Sequence, residues 1–474
     1  MASLRKTVNA TEGPLFSKMF LFAIPLMLTN LIQQLYTVAD NMVVGNFSNN
    51  ANALGAIGSS ASVVSFLIAL FTGFAIGTEA TTSRNFGAKD TDSLSKGVHT
   101  SLILSLSVGI AIGTIGFIFA RPILEVLNTQ EKFIDGAVVY LRIRCLGIPF
   151  VALYNSSAAV LRSIGDSKTP FYILTISGLS NVLLNLVFVI CLGMDADGVA
   201  LATVISQVLS VVLVLWILMK RDDQPYVIKL SLLKIDKTSA KRILKFAIPG
   251  TVQSSVAHVM NVFIAASANI FSPEVIEART IASDIDTIVS TIVATYVNVS
   301  LTFTGQNRGA RKPERVIKTL FCSILQACTI AFVIGQLILV FREPLIALFV
   351  DESVYDVSVI TEYATTIMTI MLSSYIVAGA TNSLSGFVKG LGYSLPPMVV
   401  SIIDMGVVRA IWIFGLFPLV KTLDFLYYIY PISWGLNVII YTGIILFVWK
   451  KAKARMIKPS SETVCATEAK AANN

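Results

Sequence analysis

Asp40 is the lone acid in a long uncharged stretch, QQLYTVADNMVVG over 33–45. Gln33, Tyr36 and Asp40 follow i, i+3, i+7 spacing, so a helix presents them on one face. A carboxylate beside an amide and a phenol can take up and release a proton or a small hard cation. Asn181 and Asn185, four residues apart, share a second face, and Thr203 follows in the next apolar run. Carboxylate, amide and hydroxyl oxygens suit Na⁺ or a protonatable network better than a soft metal. Further acids occur at Asp284 and Asp286, two residues apart and so on different faces, and at Asp404. Arg409 lies five residues beyond Asp404, about 140° round an α-helix, which does not make them face partners. Two histidines (His99, His258) and five cysteines give neither a zinc spacing nor a disulfide framework. No GxxxxGK[ST] loop is present, so ATP is not expected as the direct driver, nor is enzyme chemistry.

The elements that must position these residues follow from composition. Of 474 residues, 55% are apolar and 14% charged, with mean hydropathy +0.75. Soluble domains average about 25% charged residues, so an ordinary cytosolic enzyme, a disordered chain and a nucleic-acid-binding domain are excluded. A helix needs about 20 apolar residues to cross a bilayer. Twelve runs qualify: 18–41, 53–78, 98–120, 137–161, 170–192, 197–219, 246–271, 278–304, 316–341, 358–388, 397–417 and 424–449. They lack the two-residue alternation of barrel strands. Of the 36 Lys and Arg, 28 fall in the tails, the even-numbered loops and the span ends that adjoin them (Lys18, Lys318). Positive residues stay cytoplasmic, so both termini are expected inside. The N-terminus reads as a cytoplasmic lead-in rather than a signal peptide.

The chain repeats. FAIP at 22–25 recurs at 246–249, NFGAKD at 85–90 matches NRGARK at 307–312, and VLRSIGDSKTP at 160–170 matches FVKGLGYSLPP at 387–397. The expected organisation is an N-tail over 1–17, an N-lobe of six helices over 18–219, a basic linker over 220–245, a C-lobe of six helices over 246–449, and a cytoplasmic tail over 450–474. That tail is polar and reads as disordered. Six spans per half leave both copies facing the same way, with a cavity between two parallel bundles, as in alternating-access carriers. Helix rise puts Asp40 about 33 Å along span one, and Asn181, Asn185 and Thr203 at a similar outer-half level. Two plainer readings stay open: Asp40 as a water-facing helix end, and Asn and Thr as interhelical glue.

These motifs together resemble the multidrug and toxic compound extrusion (MATE) family: Pro25, QQLYTVADNMVVG, RNFGAKD, LRSIGDSKTP, GVALATVISQ over 198–207, the second FAIP and TGQNRGA over 304–310. The resemblance covers essentially the whole chain. It implies a two-lobed antiporter expelling cationic or amphipathic organic compounds against H⁺ or Na⁺, with no other cofactor. Members with an N-lobe cation site match at Asp40, Asn181 and Thr203; where many carry a second aspartate on span five, this chain has Asn185. If Na⁺ is the coupling ion, its ligands would come from Asp40, Asn181, Asn185 and Thr203, with Tyr36 beside them. Two alternatives are a lipid-linked oligosaccharide flippase and an exporter dedicated to one metabolite, such as a flavin.

Candidate cavity residues are Gln33, Tyr154, His258, Asp284, Tyr296, Tyr375 and Asp404, the aromatics by cation–π contact and the acids as charge partners. His258 reads equally as a core histidine, and Asp404 as half of a structural pair. Pro25 and Pro249, each in the first turns of its lobe's leading helix, permit a bend. The expected partners are small organic cations or amphipathic drugs and membrane lipid, not nucleic acid or ATP. The chain is expected to act as a monomer in the plasma (inner) membrane of a bacterium.

Overall fold

The computed structural model describes residues 7–48, 50, 52–221, 224–347 and 356–457. Over these residues the protein is all-α and polytopic, with twelve long helices in two six-helix bundles. The first bundle holds α1 (Leu15–Phe47), α2 (Ala53–Gly87), α3 (Thr91–Ile118), α4 (Glu131–Ser163), α5 (Lys168–Cys191) and α6 (Ala196–Met219). The second holds α7 (Lys237–Ser267), α8 (Pro273–Gly309), α9 (Pro313–Val340), α10 (Val357–Gly390), α11 (Leu395–Val420) and α12 (Leu423–Ile457). Eleven of them are long and apolar enough to cross a membrane. The other, α7, is 31 residues long but interrupts its apolar run with Gln253, Ser254, Ser255, His258 and Asn261.

Each expected span lies on one long helix to within a few residues at its ends, and most helices outrun their span because polar end turns still satisfy backbone bonds. Thus α2 continues to Gly87 and α12 to Ile457, eight residues into the expected tail. The rest of that tail, 458–474, lies outside the described residues. Helix starts follow local chemistry: Asp90 accepts the Ser93 N–H ahead of α3 (3.0 Å), and Pro273 and Pro313 open α8 and α9, where a missing N–H costs nothing. Ahead of α7, the Ser239 N–H donates to Asp236 Oδ2 (2.7 Å) and holds that carboxyl below its usual range. Pro25 and Pro249 lie inside unbroken helices.

The sequence repeat is also a backbone repeat. Lys89 and Arg311 both adopt φ 56°, while Gly165 and Gly392 adopt φ 88° and 89°. Short helices Ala120–Val126 and Arg342–Ala347 follow α3 and α9 at matched places. Between the halves, α2 packs against α7 and α8. A Cβ on Gly87 would meet the Gln306 carbonyl O at 2.0 Å, and one on Gly309 the Arg84 carbonyl O at 2.1 Å. The two helix ends approach this closely only because both positions lack a side chain. Outward faces are apolar, as at Leu35, Phe321, Leu446 and Phe447, which suits helices solvated by lipid.

Candidate functional site

A cavity of about 530 Å³ opens within the first bundle and is bounded on the other side by Asn298 of α8. α1 contributes Gln33, Tyr36 and Asp40 to its wall; α5 contributes Asn181, α6 Thr203, and α4 Arg144, Tyr154 and Arg162. Asn185 Nδ2 donates to Asp40 Oδ1 at 2.5 Å, and Asn181 Nδ2 to Thr203 Oγ1 at 3.4 Å. A charge-assisted bond of this kind is about twice as strong as a neutral one and fixes the carboxylate against α5. Asn185 is fully buried behind Asp40 rather than in the wall, and its Oδ1 has no partner among the described residues. Tyr36 donates to the Leu174 carbonyl (2.8 Å), and its ring lies on Gly178, where a Cβ would meet it at 1.5 Å. This contact holds α1 against α5 beside Asp40.

Asp40 and Thr203 offer carboxylate and hydroxyl oxygens here, while both asparagines turn their Nδ2 groups towards them. The arrangement suits a proton on Asp40 as it stands, and a hard monovalent cation once the amides turn to present oxygen. Among the described residues no three His, Cys, Asp or Glu side chains converge as a metal site would require.

Other candidate residues lie elsewhere. Tyr296 is fully buried in a core of α1, α8 and α9 and donates to Gln326 Oε1 (3.3 Å), away from the wall of this cavity. Aromatic spacing alone cannot separate a core ring from a cavity ring. Tyr154 is buried but does reach the wall, donating to the Pro170 carbonyl (3.1 Å). Asp284 is on an exposed face; its neighbour Asp286 turns inward and accepts from Tyr375 (2.7 Å). The His258 side chain lies outside the described residues.

Asp404 is 2% exposed, accepts from Asn437 (2.6 Å) and lies 4.0 Å from Arg409 Nε. This corrects the expectation that the pair cannot share a face. Residues 402–408 form a π-helix, whose i to i+5 repeat brings residues five apart together.

Two groups were missed. Arg144, deep in α4, shares the cavity with Asp40, and its presence within a span was the available signal. Glu79, 1% exposed in α2, accepts from Arg162 Nε (2.9 Å) and from Thr302 Oγ1 of the other bundle (2.7 Å). It lay one residue past the expected end of span two.

The MatE family model matches residues 25–187 and again 249–414, once in each half. The probable multidrug resistance protein YoeA of Bacillus subtilis is 28% identical over 458 residues, covering 94% of this chain and 96% of that protein. The multidrug export protein MepA of Staphylococcus aureus is 25% identical over 437 residues, covering 90% and 91%. Among solved structures, a MOP superfamily transporter from Pyrococcus furiosus, described as having a binding pocket of reverse polarity, superposes with a TM-score of 0.85 at 21% identity, covering 96% of this chain and 99% of that one. A MATE transporter in an outward-facing conformation gives 0.83 at 20% identity over 96% and 99%.

Proposed function

The chain belongs to the MatE family of multidrug efflux transporters, and on that premise we propose that it is an H⁺- or Na⁺-coupled antiporter exporting organic, cationic or amphipathic compounds by alternating access. The observation that carries this reading is the Asp40 carboxylate, held by Asn185 at the wall of a cavity of about 530 Å³. A carboxylate in such a place costs several kcal/mol to keep charged and is neutralised when a cation arrives. Neutralising Asp40 leaves Arg144 as the uncompensated charge facing the cavity, which repels a cationic cargo. Coupling follows because the inbound ion and the cargo then favour different states of one site. The Lys and Arg excess supports cytoplasmic termini, and the relatives from two bacteria support a bacterial plasma membrane.

Asp40→Asn tests this: gradient-driven dye efflux from proteoliposomes is expected to vanish, with the protein folded and still binding dye. Undiminished efflux would remove Asp40 from the mechanism.

A second reading has its own support. Arg144 lines the cavity with no ion-pair partner among the described residues, and a guanidinium suits a cargo bearing a carboxylate or phosphate, as a lipid-linked sugar does. Arg162, also in the wall, is already paired with Glu79. Competition between a cationic and an anionic dye for efflux separates the two.

A further inference from the structure

We propose that residues 8–13, ahead of α1, are a strap that seals the basic-loop end of the cavity, with Gln306 as the residue positioning it. The inference rests on the alternating-access reading, since a seal matters only if that end also opens.

The strap is built into the seam between the bundles. Ala10 has no exposed surface; its N–H donates to Gln306 Oε1 (3.1 Å), and its carbonyl accepts from Asn307 Nδ2 (3.1 Å) and Arg315 Nη2 (2.9 Å). Lys312 Nζ donates to the Thr11 carbonyl (2.9 Å), and Arg315 Nη1 to that of Gly13 (3.1 Å). All these partners of the strap belong to the second bundle. Lys18 Nζ of α1 donates to the Asn9 and Glu12 carbonyls (2.9 and 2.8 Å), tying the strap to the helix it leads into. Towards the rest of the first bundle the connections are fewer: the Val8 N–H donates to the Gly165 carbonyl (3.0 Å), and Gln306 Nε2 donates to that of Ser163 (2.7 Å). Gln306 is itself fully buried, so its one amide joins strap, first bundle and second bundle.

This asymmetry decides where the seam parts. The lower face of α1, at Met19 and Phe22, packs on Tyr296 and Phe303 of α8, so the strap and the start of α1 stay with the second bundle. Opening then breaks the two bonds at Ser163 and Gly165. Buried backbone groups must keep partners, so both carbonyls must take water as they part.

The internal repeat supplies a control. Gly165 and Gly392 share a left-handed backbone, but their neighbours differ. A Cβ on Gly165 would meet the Val8 carbonyl O at 2.1 Å, whereas the nearest atoms to one on Gly392 are those of the Arg308 guanidinium, the far end of a long side chain, also at 2.1 Å. Gly165→Ala therefore adds the same backbone strain as Gly392→Ala and also displaces the strap.

The test places a reporter, Thr72→Cys, on the cavity wall of full-length protein lacking its five native cysteines. Labelling by a membrane-impermeant maleimide is timed from each face in oriented vesicles. Gly165→Ala is expected to speed labelling from the basic-loop face roughly fivefold, the order given by losing one or two hydrogen bonds from the closed state. Gly392→Ala should leave that rate unchanged, and deletion of residues 2–12 should match Gly165→Ala. If the deleted chain fails to fold, the glycine pair carries the test alone. Equal rates in both glycine variants, raised or unraised, overturn the strap. If the reporter chain is never labelled from the basic-loop face under either gradient, alternating access itself fails, a distinguishable result.

Discussion

Glu79 shows how much one side chain in this protein depends on its neighbours. Its oxygens accept from Arg162 of its own bundle and Thr302 of the other, and buried Lys389, the repeat partner of Arg162, lies within its electrostatic reach. A buried carboxylate between two cations is tolerable because each charge is answered; removing one member strands the rest. Glu79→Ala is therefore expected to destabilise the protein by about 3–5 kcal/mol, as breaking buried ion pairs does. Glu79→Gln keeps the shape and can still accept hydrogen bonds, so its loss should be smaller. Thermal unfolding in detergent orders the three chains, and an Ala variant with the parental midpoint would show that Glu79 does not bridge the bundles.

Among the elements, α11 shows what periodicity can and cannot say. An apolar run marks the helix correctly, yet the wheel drawn for it assumes 3.6 residues per turn. The π-helical stretch 402–408 breaks that assumption and sets Asp404 beside Arg409, with Tyr430 under the guanidinium at 4.9 Å. Asp404→Ala should cost more stability alone than combined with Arg409→Met, because the single change leaves a buried guanidinium unanswered. A double-mutant cycle on unfolding midpoints measures this, and additive losses would mean that the two charges do not interact. The same distinction runs through the whole chain. Helix number, the repeat and the convergence of Asp40, Asn181, Asn185 and Thr203 are legible because apolar length, motif spacing and helix rise fix them. Glu79 was illegible because a hydropathy run stops at the first charge, while the helix goes on to Gly87 with that charge paired inside. Whether Asp284 or Asp286 turns inward depends on how α8 meets α10, which one strand of sequence does not contain.

At the scale of the whole molecule, charge balance sets what can drive the cycle. The cavity wall holds one carboxylate among the described residues, Asp40; Asn185, bonded behind it, is a neutral amide, and Arg162 is already answered by Glu79. If Asp40 alone carries the coupling ion, one proton or Na⁺ enters for each monovalent organic cation that leaves, and no net charge crosses. A potassium diffusion potential, imposed on proteoliposomes without a pH or Na⁺ gradient, should then drive no accumulation of a monovalent dye. One pH unit should sustain at most about a tenfold gradient, the equivalent of 1.4 kcal/mol. Asn185→Asp sets a second carboxylate against the first, and the pair can hold a second proton. That variant is expected to gain sensitivity to the imposed potential at the same pH gradient. If the parental chain already accumulates dye under potential alone, a second carboxylate is at work. Asp286, turned inward and bonded to Tyr375, is then the residue to neutralise next, and loss of the potential effect in Asp286→Asn would assign it.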